Sequence, residues 1–266
     1  MTYPGGQMAY TVLGSGQLLI LLHGFGESGS IWHHQVERLA QVCRVIVPDL
    51  PGTGSSPMPE GGSLDTLEAY ADLLAALLEA EGLATCTLIG HSMGGYIALA
   101  FAEKYPERLE ALGLFHSTAL ADSEQRKELR QKGIRFMQEY GPATFLKEVI
   151  PSLYAESFRS ASPQTIQAHL EESTKWATAE ALTSYYRAMM SRKDRTHVLS
   201  DFKGPVLFIL GALDKTVVLE ETIPQTRLAQ NAQVHVMENV AHMGMQEDPE
   251  QTINILKDFM LGVNQS

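Results

Sequence analysis

Short apolar runs alternate with longer amphipathic stretches along this chain. Leu18 to Leu22, Val45 to Val47, Thr87 to Ile89, Ala111 to Phe115, Val206 to Leu210 and Val234 to Val236 read as strands, and Met8 to Leu13 as an antiparallel edge strand. Between them, apolar positions at helical spacing predict helices over Ile31 to Gln41, Leu64 to Glu81, Met93 to Tyr105, Leu219 to Ala229 and Pro249 to Leu261. Strands that are apolar at nearly every position are buried on both faces. The pattern therefore predicts an α/β fold with a mostly parallel sheet and helices on each side.

The rhythm breaks between about Thr118 and Asp201, where helical periodicity continues without a convincing strand. The expected organisation is a core made of residues 1–117 and 202–266, interrupted by a helical cap, or lid, over 118–201. Gly133, Gly141-Pro142, Pro151 and Ser162-Pro163 should divide that insertion into about four short helices. No internal repeat or low-complexity tract is visible.

With 266 residues, 44% of them hydrophobic and 19% charged, the chain has enough apolar material for one sizeable core. Its formal net charge of −11 repels phosphate backbones and anionic lipid surfaces, so neither nucleic acid nor membrane is an expected partner. The first residues carry no basic or long apolar leader, and no later stretch reaches the roughly 18 apolar residues of a membrane span. A cytoplasmic protein is expected. Cys43 and Cys86 both fall in runs read as buried strands, where a free thiol acts as a small hydrophobe.

Candidate chemistry starts at Gly90-His91-Ser92-Met93-Gly94-Gly95, which joins a predicted strand to a predicted helix. Gly-x-Ser-x-Gly at such a junction is a nucleophile elbow, a turn tight enough to need small neighbours and a strained central residue. It sets Ser92 at a helix N-terminus, where free amides favour developing negative charge. A serine hydroxyl needs a histidine to take its proton and a carboxylate to hold that imidazole. Asp214 follows the strand Val206 to Leu210, and His242 lies in the loop after the next strand. His235, the other histidine beyond Asp214, sits inside an alternating strand and should point to a sheet face. Asp194 and Asp201, at the end of the insertion, are read as helix-end or surface residues. An anionic tetrahedral intermediate needs two amide donors. Met93 is one candidate; the other is Phe25, in the turn His23-Gly24-Phe25-Gly26 after an earlier strand, with His23 bracing the turn.

These residues together resemble the α/β-hydrolase superfamily: His23-Gly24-Phe25-Gly26, Asp49-Leu50-Pro51-Gly52-Thr53-Gly54-Ser55-Ser56, the Ser92 motif, Gly211 to Asp214, and His242 appear in that order. The resemblance covers everything except the cap. It implies the α/β-hydrolase fold, a Ser92–Asp214–His242 triad, backbone N–H donors at Phe25 and Met93, and a structural turn over Asp49 to Ser56 beside the pocket. The family's strand order would also put one strand between those holding Cys43 and Cys86, too far for a disulfide. Haloalkane dehalogenases and epoxide hydrolases resemble this frame but carry Asp as nucleophile, so neither activity is expected with Ser92. Gly26 departs from the Pro usual in cofactor-free perhydrolases, and Tyr96 from the Arg usual in menaquinone-pathway synthases.

The cap carries Phe136, Met137, Tyr140, Phe145, Trp176, Tyr185, Tyr186, Met189 and Met190; most of them should pack cap against core, and a pocket roofed by the others would suit an apolar or aromatic acyl or alcohol group. Trp176, Tyr185 and His116, with Ser117 beside it, are the candidate substrate contacts. His33 and His34 are adjacent on a predicted helix and should point different ways; no metal site, phosphate loop or dinucleotide motif is seen, so no cofactor is expected. Three readings stand: a carboxylesterase acting on a small ester with water, a carbon–carbon hydrolase of a diketone-like substrate, and a ligand-sensing regulator that keeps the triad. The sequence leaves the substrate and the oligomeric state open.

Overall fold

The computed structural model describes residues 1–61 and 64–263; the last three positions of the expected core segment 202–266 lie outside that range. Among the described residues nine strands form two sheets. β1 (Thr2–Tyr3) and β2 (Gly6–Gln7) make a small antiparallel hairpin. The main sheet contains β3 (Tyr10–Leu13), β4 (Leu18–Leu22), β5 (Arg44–Pro48), β6 (Cys86–His91), β7 (Leu109–Phe115), β8 (Val206–Gly211) and β9 (Ala232–Met237), ordered β3-β5-β4-β6-β7-β8-β9. All neighbours are parallel except the edge strand β3, which runs against β5 with Tyr10 opposite Pro48. β4, β6 and β8 are buried along their whole length, as expected of strands covered on both faces.

The strand order reverses between β4 and β6: the chain leaves β4 toward one edge and later builds outward from β6 toward the other. Loops after these adjacent strands diverge to opposite faces, leaving a crevice at their carboxyl ends, where open α/β sheets bind ligands. The turn carrying Phe25 follows β4, and Ser92 follows β6.

Helices α1 (His33–Leu39), α2 (Leu67–Ala80), α3 (Met93–Lys104), α10 (Leu219–Thr222), α11 (Gly244–Glu247) and α12 (Pro249–Val263) accompany the sheet. α2 starts where Thr66 caps the Ala69 amide and buries Leu67, Tyr70, Ala71, Leu74 and Leu78, one stripe at helical spacing. The helix expected over Leu219 to Ala229 ends early: α10 gives way to a 3-10 turn over Ile223–Arg227, because Pro224 lacks the amide hydrogen that an α-helix would need there. A 3-10 turn, Gly29–Trp32, likewise replaces the start of the first predicted helix.

Between β7 and β8 lie six helices rather than about four: α4 (Glu124–Tyr140), α5 (Pro142–Ser152), α6 (Glu156–Ala161), α7 (Pro163–Trp176), α8 (Ala179–Ser191) and α9 (Thr196–Asp201). Gly141-Pro142 and Ser162-Pro163 mark boundaries as expected, but Gly133 lies inside α4. A Cβ at Gly133 would stand 2.8 Å from the Tyr186 ring and 3.2 Å from that of Phe145, so this glycine marks a close helix approach and not a break. Three hydrogen bonds lay the segment over the loops at the carboxyl ends of the strands. Ser173 Oγ donates to Gly26 O (2.7 Å), Tyr185 OH to Pro51 O (2.7 Å), and His242 N to Leu153 O (2.9 Å).

Among the described residues no helix is long and apolar enough to cross a membrane. Cys43 precedes β5, one position outside the strand expected to hold it, while Cys86 opens β6; β4 stands between the two strands and both thiols are free. Burial pushes the Cys43 thiol up to about 11 and the Cys86 thiol up to about 12. We therefore expect a thiol-reactive chromogenic disulfide at mildly alkaline pH to label neither cysteine in the native protein and both after unfolding in denaturant. Rapid native labelling would contradict the buried placement.

Candidate active site

The β6–α3 junction is the sharpest feature of the backbone. Ser92 adopts φ 51°, ψ −114°, in the left-handed half of the map that a residue with a Cβ avoids at a cost of about 1–3 kcal/mol. The turn closes only because its neighbours lack side chains. A Cβ on Gly90 would stand 2.1 Å from the Gly94 carbonyl carbon, and one on Gly95 would stand 2.3 Å from Ser117 Oγ. The Ser92 amide donates to Phe115 O (3.0 Å) and its carbonyl accepts from Ser117 Oγ (2.7 Å). Ser117, expected beside a ligand, is buried beneath the elbow and braces it.

Opposite the elbow, His242 Nδ1 lies 2.7 Å from Asp214 Oδ2, with both side chains buried. The other carboxylate oxygen accepts from the amides of Thr216 (2.7 Å) and Val217 (3.0 Å), so the loop after β8 sets the acid's direction. Burial disfavours the His242 imidazolium, but the Asp214 charge and hydrogen bond outweigh it and raise the ring's pKa above 6.5. Burial also opposes ionisation of Asp214, yet the His242 charge and the hydrogen bond hold its carboxyl below the usual range. Nδ1 donates to the carboxylate, which leaves Nε2 as the ring's basic atom. Neither Ser92 Oγ nor His242 Nε2 is engaged in a hydrogen bond among the described residues, the open arrangement common in unliganded sites. The two loops are nonetheless adjacent: His91, next to Ser92, has its ring 4.8 Å from that of His242.

The turn after β4 reaches the same place. A Cβ on Gly24 would lie 3.1 Å from Ser92 Cβ, and the backbone N–H groups of Phe25 and Met93 have no acceptor among the described residues. His23 braces this turn as expected. Its Nδ1 donates to Gly24 O (2.9 Å), and its Nε2 accepts from the amide of Leu50 (3.0 Å), tying the turn to Asp49–Ser56. There Asp49 accepts from the amides of Gly29 and Ser55, both at 2.8 Å.

Of the residues expected to touch substrate, Tyr185 packs on the core, Trp176 lines a separate cleft and His116 lies beside Asp214. Tyr185 is wholly buried, with its hydroxyl on Pro51 O and its ring 5.6 Å from that of Tyr70; it packs the helical segment onto the core. Trp176 lines an outer cleft of about 730 Å³ with Tyr10, His33, Asp49 and Lys175, a lining that excludes Ser92, Phe25 and His242. His116 is also fully buried, at φ 45°. Its Nδ1 is 3.6 Å from Asp214 Oδ2, too long for a hydrogen bond, and burial keeps its pKa well below 6.5. The aromatic side chains next to the turn are instead Tyr186, stacked on Phe25 at 4.3 Å, and Phe145, edge-on to Phe25 at 6.3 Å. His33 and His34 do not diverge: their ring centroids are 3.7 Å apart. Among the described residues no three His, Cys, Asp or Glu side chains gather to hold a metal.

Glu27, His91 and Glu247 escaped the sequence reading. Glu247 Oε1 accepts from the amides of Ala241 and Met243, on either side of His242, and its Oε2 from Ala155 of the helical segment. Burial raises its pKa. Nothing in the spacing marks Glu247, since it stands at the end of a short helix as an ordinary acidic residue would.

Residues 19–255 match the alpha/beta hydrolase family. The chain is similar to a thermophilic esterase from Thermogutta terrifontis, at 32% identity and a TM-score of 0.91, over 97% of this chain and 94% of that one. It is also 30% identical over 264 residues to a 2-hydroxy-6-oxononadienedioate/2-hydroxy-6-oxononatrienedioate hydrolase of Paraburkholderia phymatum, covering 94% of this chain and 90% of the relative. Lipase 1 of Psychrobacter immobilis is 28% identical, over 96% and 81%. With its elbow, sheet order and extensive match, the chain belongs to the alpha/beta hydrolase family, whose members act on small molecules with water.

Proposed function

We propose that the protein is a serine hydrolase of small carboxylic esters, acting through an acyl-enzyme on Ser92 beneath a cap formed by residues 118–201. The observation that carries this reading is the meeting of a strained serine, a buried Asp214–His242 pair and two uncommitted amides at the carboxyl ends of β4, β6, β8 and β9. His242 Nε2 takes the Ser92 proton as Oγ bonds to the ester carbonyl carbon. The amides of Phe25 and Met93 receive the charge that develops on the carbonyl oxygen, and Asp214 stabilises the imidazolium. Collapse breaks the carbon–oxygen bond, and the imidazolium returns its proton to the departing alcohol. Water, deprotonated by the same ring, then attacks the acyl carbon and restores Ser92. Phe25, Tyr186 and Phe145 form the apolar wall for the acyl or alcohol group. The similarity to an esterase at 32% identity supports the ester as substrate.

A second reading has a specific observation behind it. The relative that hydrolyses 2-hydroxy-6-oxononadienedioate shares 30% identity across nearly the whole chain, so the same triad could serve a carbon–carbon cleavage. Parallel assays with nitrophenyl esters of increasing acyl length and with a vinylogous diketone separate the two. Turnover of the diketone at a kcat/KM above that of every ester would replace the first reading by the second.

Ser92→Ala is expected to lower kcat at least about ten-thousandfold with an unchanged melting temperature, and to abolish labelling by a fluorophosphonate. Mass spectrometry locating the adduct on any residue other than Ser92 would refute the assignment. The base must be unprotonated, and its pKa is raised. The kcat/KM–pH profile should therefore fall on the acid side with a midpoint above 6.5, activity being lost as pH drops through it. A midpoint below 6.5 would exclude His242 in this environment as the base.

A further inference from the structure

Glu27 is a buried carboxylate in a loop, where an unpaired charge is strongly disfavoured. Its Oε2 accepts from the Gly24 amide (2.6 Å) and from His91 Nδ1 (2.9 Å). Burial alone would raise its pKa, but the charge and hydrogen bond of His91, with smaller help from His169 and the Gly24 amide, bring it down to about 2. The far side of the His91 ring makes a second contact, with Nε2 2.9 Å from the His242 carbonyl oxygen. The two ring nitrogens, the only polar atoms of the side chain, thus face a carboxylate on one side and a backbone carbonyl on the other.

The result is one line of contacts, Gly24 to Glu27 to His91 to His242, that joins the loops after β4 and β9 through the last residue of β6. Each end, and the middle, abuts the proposed machinery. Gly24 precedes the Phe25 donor, His91 precedes Ser92, and His242 is the base itself. The junction has no spare room: a Cβ on Gly24 would stand 3.0 Å from His91 Nδ1, 3.1 Å from Ser92 Cβ and 3.2 Å from Glu27 Oε2. As a contribution to stability alone such a pair has little rationale, because a well-packed apolar pair commonly does as well as a buried polar or charged one. What an apolar pair could not do is fix two loops and a strand end by directional bonds.

We propose that Glu27 and His91 are positioning residues that hold the oxyanion turn and the base-bearing loop in register about Ser92. The proposal rests on the serine-hydrolase reading above and adds to it the device that sets the distances among donor, nucleophile and base. Neither residue touches the reacting atoms.

The test compares Glu27→Gln, His91→Asn, the double variant and Glu27→Asp with wild type. The readouts are kcat and KM on a nitrophenyl butyrate ester, the rate of fluorophosphonate labelling, and the thermal midpoint. Glu27→Gln and His91→Asn should each lower kcat by about ten- to a hundredfold, the scale of a small misplacement of reacting groups, with KM within about threefold. Labelling should slow in parallel. The double variant replaces the carboxylate–imidazole pair by two neutral amides, and its loss should match that of the worse single variant, because the two residues act as one unit. Glu27→Asp keeps the charge on a shorter arm and should fall between wild type and Glu27→Gln. A wild-type kcat in these variants, measured well below their midpoints, or losses that simply multiply in the double variant, would overturn the proposal while leaving the triad standing. Persistent turnover in Ser92→Ala would instead remove the reading on which it rests.

Discussion

The site depends on one backbone constraint, the left-handed conformation of Ser92 at the tip of β6. An L-residue is held there only when its surroundings leave it no alternative. Here those surroundings are Gly90 against Gly94, Gly95 against Ser117, and the bonds from Ser92 to Phe115 and Ser117. The same turn starts α3, so the Met93 amide is free because it is the first of a helix and has no preceding carbonyl to bind. Strain and available donor thus have a single cause. Both would vanish if the turn relaxed.

Around that turn the acidic groups are arranged so that each carboxylate holds a loop. Asp214 is fixed by two loop amides and turns its other oxygen to His242, Glu247 grips the amides on either side of His242, and Glu27 holds Gly24 and His91. In a low-dielectric interior these contacts are stronger and more costly to leave unmade than in water. The loops carrying the proposed nucleophile, base and donor are therefore tied to one another and not only to the strands they leave. Ser173, Tyr185 and Leu153 extend the ties to the helical segment, which rests on the same loops.

The aromatic side chains near Phe25 reach it from two helices of that segment, Tyr186 from α8 and Phe145 from α5. α4 packs against both through Gly133, whose missing side chain lets the rings lie close to the α4 backbone. Under the proposed function a substrate's apolar group would be sorted here, and helical spacing alone does not separate Tyr185, bonded to Pro51, from Tyr186, stacked on Phe25. A helical pattern tells which stripe is buried. It does not tell whether that stripe meets the core, a neighbouring helix or a cavity.

By itself the sequence determined the alternation of strands and helices, the strandless run of helices between β7 and β8, and the order Phe25, Ser92, Asp214, His242 along the chain. These are legible because strand burial, turn chemistry and motif spacing are local properties, written in consecutive residues. Tertiary structure alone decided that Gly133 sits within a helix, that Tyr186 and Phe145 rather than Tyr185 flank Phe25, and that Glu27, His91 and Glu247 link loops far apart in sequence. An acidic residue or a glycine carries no mark of its partner. What Glu27 and Gly133 do depends on side chains that only folding brings beside them.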